Sequence, residues 1–288
     1  MLVVGGDTDL AFRGRARLEQ LERRWSRFLP DSELSRLNEE PETPVVVSDD
    51  TYLLAERVCA AWVQTDGAFD PTVLDAIEAA GYDATFDELP DDRPVGADGP
   101  TVAPGCGGIE MDPVVRTITL PRGVRLDPGG LGKGLAADIV AAELVAAGAD
   151  GAMVDVGGDL RVLGVPPGGD GWNVGVEDAS HPGQDVAQVR LAHGGVATST
   201  AAFRTWNVEG HPTHHLIDPV VSRPVASDLM SVTIAAADAA WAEALSTAVF
   251  VRGLEAGREL VDGVGAAACL VTTDGRLFAQ SPFEEMAR

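Results

Sequence analysis

Between residues 127 and 134 the chain reads Asp127-Pro128-Gly129-Gly130-Leu131-Gly132-Lys133-Gly134, and no other stretch restricts the fold as strongly. Val124-Arg125-Leu126 predicts a strand, and the periodic run from 131 to 147 predicts a helix. A glycine-rich connection between them lets backbone N–H groups approach a phosphate at the helix start, where anions are favoured. A tight strand-to-helix turn without a ligand would use the same glycines. Two familiar nucleotide loops are excluded by spacing. Counting back from Gly132-Lys133, the first Gly of a P-loop falls on Asp127, and Gly134 replaces its Ser or Thr. Gly130, Gly132 and Gly134 give G-x-G-x-G, which is not the dinucleotide fingerprint. Lys133 is the single lysine of the chain. A compact ammonium acts as a point charge where a planar guanidinium would not fit.

The length of 288 residues, with 45% hydrophobic content, allows one large domain or two closely packed lobes. Lysine and arginine number 21 against 45 acidic residues, a formal charge of −24. Such an acidic chain lacks the clustered cations that nucleic-acid backbones and anionic membranes require, so neither is expected as a partner. Solubility, a salty cytoplasm or a basic partner would each account for the excess acid. Cys59, Cys106 and Cys269 are odd in number and lack metal-ligand spacing. Cys59 and Cys269 lie in apolar runs and read as buried thiols. Neither a signal peptide nor a run of transmembrane length is evident, which predicts a cytoplasmic chain, or an extracytoplasmic one if a leader was trimmed.

Helices are predicted at 8–28, from a cap at Asp49 or Asp50 to Trp62, and in a short segment opening at Pro71. Residues 82–108, rich in Asp, Pro and Gly, read as a surface excursion. Strands are predicted at 109–111, 116–120, 152–156, 160–163, 172–176, 186–191, 196–198, 215–217 and 230–235. Helices follow at 238–251 and 254–261, then a hairpin turning at Asp274-Gly275. Without strict βαβ alternation, the fold class is α+β, with mixed and antiparallel sheets packed against helices.

Three further segments carry polar groups. Gly157-Gly158-Asp159 after an apolar strand suits either a plain turn or a close approach of backbone to a ligand. His215 and Asp218 lie three residues apart, as a structural pair or as an imidazole with its orienting carboxylate. Glu243 and Thr247 are four apart on a predicted helix, so both oxygens reach one point beside that face. A carboxylate and a hydroxyl form a hard-oxygen set for Mg²⁺ and phosphates, and capping or solvent contact uses the same residues.

Taken in order, these segments resemble the ApbE family of flavin transferases. The resemblance runs from about Leu18 to Ala279. It includes Asp31 to Asn38, Gly67-Ala68-Phe69-Asp70-Pro71-Thr72, the glycine loop, Gly157-Gly158-Asp159, Ala197-Thr198-Ser199, His215 to Pro219, and Ala242 to Thr247. It implies a single flavin transferase domain over residues 1–288, with an ApbE-like, T-fold-like architecture. It implies FAD as substrate and Mg²⁺ as cofactor, with FMN passed to a Thr or Ser of an acceptor protein and AMP released. FAD contacts are implied at Phe28, Ala68, Phe69, Asp70, Asp127, Lys133 and Ile217. Mg²⁺ ligands are implied at the Gly130 carbonyl, Glu243 and Thr247. His215, oriented by Asp218, is the implied catalytic pair. Glu243 stands where the family usually has Asp, Thr200 where it usually has Gly, and the opening Leu2-Val3-Val4 lacks the family's Met-Gly-Thr. The same site would serve an FAD pyrophosphatase or a non-catalytic FAD-binding protein.

Overall fold

The computed structural model describes residues 1–90, 92–93 and 102–286, with the side chain of residue 285 left aside. Seven α-helices occur among the described residues: α1 (Leu10–Trp25), α2 (Glu33–Glu39), α3 (Asp49–Gln64), α4 (Leu74–Ala79), α5 (Gly132–Ala146), α6 (Ala239–Arg252) and α7 (Leu254–Val264). The residues divide into two compact units. Unit 1 comprises Met1–Glu19, Leu131–Ala202 and Ser227–Arg288; unit 2 comprises Gln20–Gly130 and Phe203–Ala226.

Unit 1 is built on a seven-stranded sheet in the order Leu2–Val4, Gly151–Val156, Asp159–Gly164, Gly194–Thr200, Leu229–Ala236, Ala267–Thr272, Leu277–Ala279. All its ladders are antiparallel. Successive side chains of a strand point to opposite faces, and residues 195 and 196 show what covers each. A Cβ on Gly195 would lie 2.2 Å from the Ala239 nitrogen, so that face carries α6. Val196 points the other way, into a core with Trp172, Val174, Val176, Val189 and Phe283. Those belong to a three-stranded antiparallel sheet of Phe283–Glu285, Asp185–Leu191 and Trp172–Glu177. In Trp172–Glu177 buried and exposed residues alternate strictly, the pattern of a strand with one wet face.

Buried residues run all round α6, from Ala239 to Phe250, as in a helix enclosed on every side. Its first turn sits very close to α5: a Cβ on Gly134 would fall 2.3 Å from the Ala239 carbonyl oxygen. Gly134 is therefore fixed by packing.

Unit 2 is built on short ladders of two to four residue pairs. Ser32 and Ser48 cap α2 and α3, their hydroxyls accepting the Ser35 and Thr51 N–H groups. Glu33 accepts from both the N–H and the hydroxyl of Ser48, at 2.9 and 2.8 Å, which joins the two helix starts. One core holds Leu34, Leu37, Tyr52, Ile118 and Leu126. A second holds Ile77, Tyr82, Trp206 and Ile217. Short ladders complete the unit, including a parallel pairing of Asn207-Val208 with Asp92-Arg93 that makes one small sheet mixed.

The α+β class with antiparallel and mixed sheets is thus the observed one. Several local expectations need correction. Residues 124–126 form no ladder: Leu126 donates its N–H to the Asn38 side-chain oxygen, and its carbonyl accepts from the Asn38 amide nitrogen. Ser48, not an aspartate, caps α3; Pro71 precedes α4 by three residues instead of opening it. The first helix runs from Leu10 only to Trp25, short of the expected 28, and Ser32 caps a further helix, α2. The expected strand 215–217 is broken by a bend at His215, leaving Ile217–Asp218 paired with Arg223–Pro224. Cys269 is buried as expected, whereas Cys59 is half-buried. Within the 82–108 excursion, residues 91 and 94–101 lie outside the described residues; Phe86–Glu88 is a short 3₁₀ turn.

Candidate active site

The expected site residues divide between the units. Lys133, Glu243 and Thr247 lie in unit 1; Phe28, Ala68, Phe69, Asp70, Asp127, Gly130, His215, Ile217 and Asp218 lie in unit 2.

In unit 1, α5 begins at Gly132, so Lys133 and Gly134 occupy its first turn. The Lys133 ammonium meets the Asp159 carboxylate directly and lies 3.0 Å from Glu243 Oε1. The Gly134 N–H donates to Glu243 Oε2 at 2.8 Å, and the Thr198 N–H donates to Asp159 Oδ1 at 3.2 Å. Both carboxylates are nearly sealed from solvent, at 2% and 4% side-chain exposure, while Lys133 keeps 30%. Two buried carboxylates thus face one ammonium, one formal negative charge in excess. Burying an ion costs several kcal/mol unless it is paired. A hard divalent cation suits this oxygen set, so the residues present fit Mg²⁺.

Thr247 lies one turn beyond Glu243 on α6. Its Oγ1 is 3.3 Å from Ser199 Oγ, which is 2.8 Å from Ser246 Oγ. Ser246 donates to the Glu243 carbonyl at 2.9 Å, so Ser199 donates to Ser246. Glu243 also uses its full length: it reaches the backbone of α5 and the ammonium together. Asp159, at the end of the Gly157-Gly158-Asp159 turn, supplies the second carboxylate of the charge cluster, a role its spacing in the sequence does not reveal.

The turn before it is explained by conformation. Gly157 and Gly158 link Val156 to its ladder partner Asp159, with φ of 66° and 95°. Positive φ at both central residues is what a type I′ hairpin demands. A Cβ at either would meet nothing within 4 Å.

In unit 2, aromatic residues gather around Arg27. Its guanidinium lies over the Phe28 and Tyr82 rings, 4.2 and 4.7 Å from their centroids. It donates to the Tyr82 carbonyl at 2.8 Å and stands 3.5 Å from Asp127 Oδ2. Tyr82 packs on Phe28 and on Trp206, with centroids 5.8 and 5.3 Å apart. Ile217 joins the same cluster. Asp127 Oδ1 accepts the Gly129 N–H at 2.8 Å, and the Asp127 N–H donates to the Pro71 carbonyl at 2.7 Å. This brings the glycine loop beside the segment holding Ala68, Phe69 and Asp70. Asp70 accepts the Thr72 N–H and hydroxyl at 2.8 and 2.6 Å, and burial raises its carboxyl above the ordinary range. Phe69 is a core residue, 2% exposed. Phe28, Asp127 and Ile217 are therefore gathered by Arg27, Tyr82 and Trp206, which sequence reasoning missed. Only the adjacency of Arg27 to Phe28 hinted at it.

His214 and His215 part company. His214 Nδ1 accepts the Leu216 N–H at 3.3 Å and Nε2 faces the Val225 carbonyl at 3.2 Å, which fixes a neutral ring. Burial lowers its pKa in the same direction. His215 occupies the bend, where its Nδ1 is shielded from solvent. Asp218 Oδ1 accepts the Val220 N–H at 2.8 Å, stabilising the turn that follows.

The comparisons with known proteins agree on one family. Residues 6–270 match the ApbE family. A FAD:protein FMN transferase of Treponema pallidum is 32% identical over 94% of this chain and 79% of its own length. One of Vibrio cholerae is 27% identical over 93% and 81%. The crystal structure of the ApbE protein from Thermotoga maritima superposes with a TM-score of 0.81 at 29% identity, covering 94% of this chain and 89% of that one. On this match, and on a glycine loop feeding a buried charge cluster, the chain belongs to the ApbE family.

Proposed function

We propose that this chain transfers FMN from FAD to a Thr or Ser hydroxyl of an acceptor protein, releasing AMP and requiring Mg²⁺. The observation that carries the reading is the Lys133–Asp159–Glu243 cluster at the start of α5. Oxygen donors with excess negative charge at a helix start match the needs of a metal-bound pyrophosphate.

The acceptor hydroxyl oxygen bonds to the FMN phosphorus, and the P–O bond of the anhydride to AMP breaks. The hydroxyl proton passes to His215 and then to water, while AMP departs with the bond's electron pair. Phosphoryl transfer depends chiefly on positioning and charge neutralisation. Lys133 supplies a positive charge fixed by two carboxylates. Phe28, Ala68, Phe69, Asp70, Asp127 and Ile217 hold the flavin nucleotide, with Arg27 bracing Phe28 and Asp127. Glu243, Thr247 and the Gly130 carbonyl would hold Mg²⁺, which when bound neutralises phosphate charge.

The test is mass spectrometry of the purified protein incubated with FAD, Mg²⁺ and a peptide bearing an acceptor Thr. The expected products are a peptide heavier by one FMN, and AMP. Free FMN and AMP beside an unmodified peptide would replace transfer with hydrolysis, and intact bound FAD would leave only binding.

A further inference from the structure

Besides the Lys133–Glu243 ion pair, two sets of backbone-amide hydrogen bonds tie α6 to α5, and only one of them uses a side chain already given a role. The first is the Gly134 N–H to Glu243. The second lies one turn further along α5, at Asp138. Its carboxylate accepts the Ala239 and Ala240 N–H groups, one on each oxygen, both at 2.9 Å. The capping residue Asp238 accepts the Trp241 N–H at 2.8 Å. The first helical amides of α6 have no partners within their own helix. Here Asp138 takes two of them from a different helix.

A second group completes the clamp. Arg161, on the neighbouring strand, reaches the Ala237 carbonyl and stands 3.5 Å from Asp138 Oδ1. Carbonyl and amides on both sides of residue 238 are thereby fastened to α5 and to the sheet. Gly134 and Gly195 both lack a Cβ where the Ala239 backbone passes, so the first turn of α6 seats against helix and strand together. Glu243 is one turn from the clamped amides and Thr247 two turns.

We infer that Asp138 is a positioning residue for the reaction: by gripping the first two amides of α6, it sets where Glu243 and Thr247 stand relative to Lys133 and Asp159. It touches none of those four itself. The inference rests on the proposed Mg²⁺ and FAD chemistry for its consequence in turnover, and on contacts within unit 1 for its physical basis. Asparagine would keep one acceptor but turn an NH₂ donor toward the other amide. Alanine would remove both acceptors.

The experiment compares wild type, Asp138→Asn and Asp138→Ala in three measurements. These are the Mg²⁺ dependence of FMN transfer at saturating FAD, Mg²⁺ binding by calorimetry without FAD, and thermal unfolding without metal. The expected result is that Asp138→Asn unfolds cooperatively while its Mg²⁺ midpoint rises about tenfold, the size of one lost charged hydrogen bond. Its KM for FAD should change less than about threefold, since Asp138 contacts α6 and not Lys133, and the other residues proposed to hold the flavin belong to unit 2. Asp138→Ala should shift the Mg²⁺ midpoint further. If alanine prevents folding, Arg161→Gln supplies the second variant, with a smaller shift in the same direction. An unchanged Mg²⁺ midpoint in Asp138→Asn, whatever happens to its unfolding temperature, overturns the inference. A wild type that binds Mg²⁺ but transfers no FMN overturns the proposed reaction alone, and calorimetry still decides the role of Asp138. A wild type that binds no divalent cation overturns both.

Discussion

In unit 1 every group of the charged cluster stands on a helix or strand, whereas in unit 2 Arg27, Phe28, Asp70, Tyr82 and Asp127 lie in turns and connections. The difference follows from what each cluster must hold. Buried carboxylates are tolerated only with partners at fixed distances, and regular elements supply those distances. Aromatic and cation–π contacts act over broader geometries, so loops suffice when packed by Ile77, Trp206 and Ile217. Charge in this protein is positioned by backbone, and apolar surface by side chains.

The comparison is most exposed at Glu243. Replacing it by alanine removes the partner of the Gly134 N–H and half of the buried negative charge. FMN transfer should fall by about 10²–10³-fold, the range for loss of a preorganised electrostatic group. Transfer retained within about threefold by mass spectrometry would break the claim that the unit 1 cluster does the chemistry.

Gly134→Ala tests whether the backbone of α5 sets the distances. Its Cβ would lie 2.3 Å from the Ala239 carbonyl oxygen, and overpacking of this kind costs about 1–3 kcal/mol. Urea unfolding measures it; a cost near zero would show that the two helices can part without penalty.

Asp138 provides a pH signature. Burial, together with the Asp238 charge and against the Arg161 charge, raises its carboxyl from 3.8 to about 6. The folded chain thus holds this proton more tightly than the unfolded one, so its contribution to stability falls as pH rises from about 4 to about 6. The change is on the order of 3 kcal/mol. Unfolding midpoints across that range should lose this slope in Asp138→Asn; an identical slope in both proteins would assign the titration elsewhere.

The smallest effect is expected in unit 2. Arg27→Ala removes a guanidinium from two rings and from Asp127, and FAD affinity should weaken about tenfold with little change in kcat. Fluorescence titration with FAD gives the first number and steady-state transfer the second. A large loss of kcat with unchanged affinity would move Arg27 from binding to chemistry.

The extent to which sequence spelled out this structure follows the same division. Strict alternation marked Trp172–Glu177, and i,i+4 spacing marked Glu243 and Thr247, because local periodicity alone decides which face a residue occupies. The glycine loop was legible as a strand-to-helix connection, yet residues 124–126 form no strand, since their partner is the Asn38 side chain. Distances of that kind along the chain leave no local pattern. Tyr82 and Trp206 meet across more than a hundred residues, and Asp159 reaches Lys133 through sheet register, so neither contact could be read in advance. The break at His215 was missed for the opposite reason: an apolar run beside it suggested a strand, and local hydrogen bonds from His214 prevailed.

One property of the charge cluster has a practical side. Lys133 is the only lysine in 288 residues, and its side chain keeps 30% of its surface open. An amine-selective reagent therefore has one side-chain target in the whole protein, and that target pairs with the two buried carboxylates of the charge cluster. Labelling of Lys133, read by peptide mass with and without FAD so that it is separated from the terminal amine, becomes a footprint of occupancy that needs no mutation and no reporter.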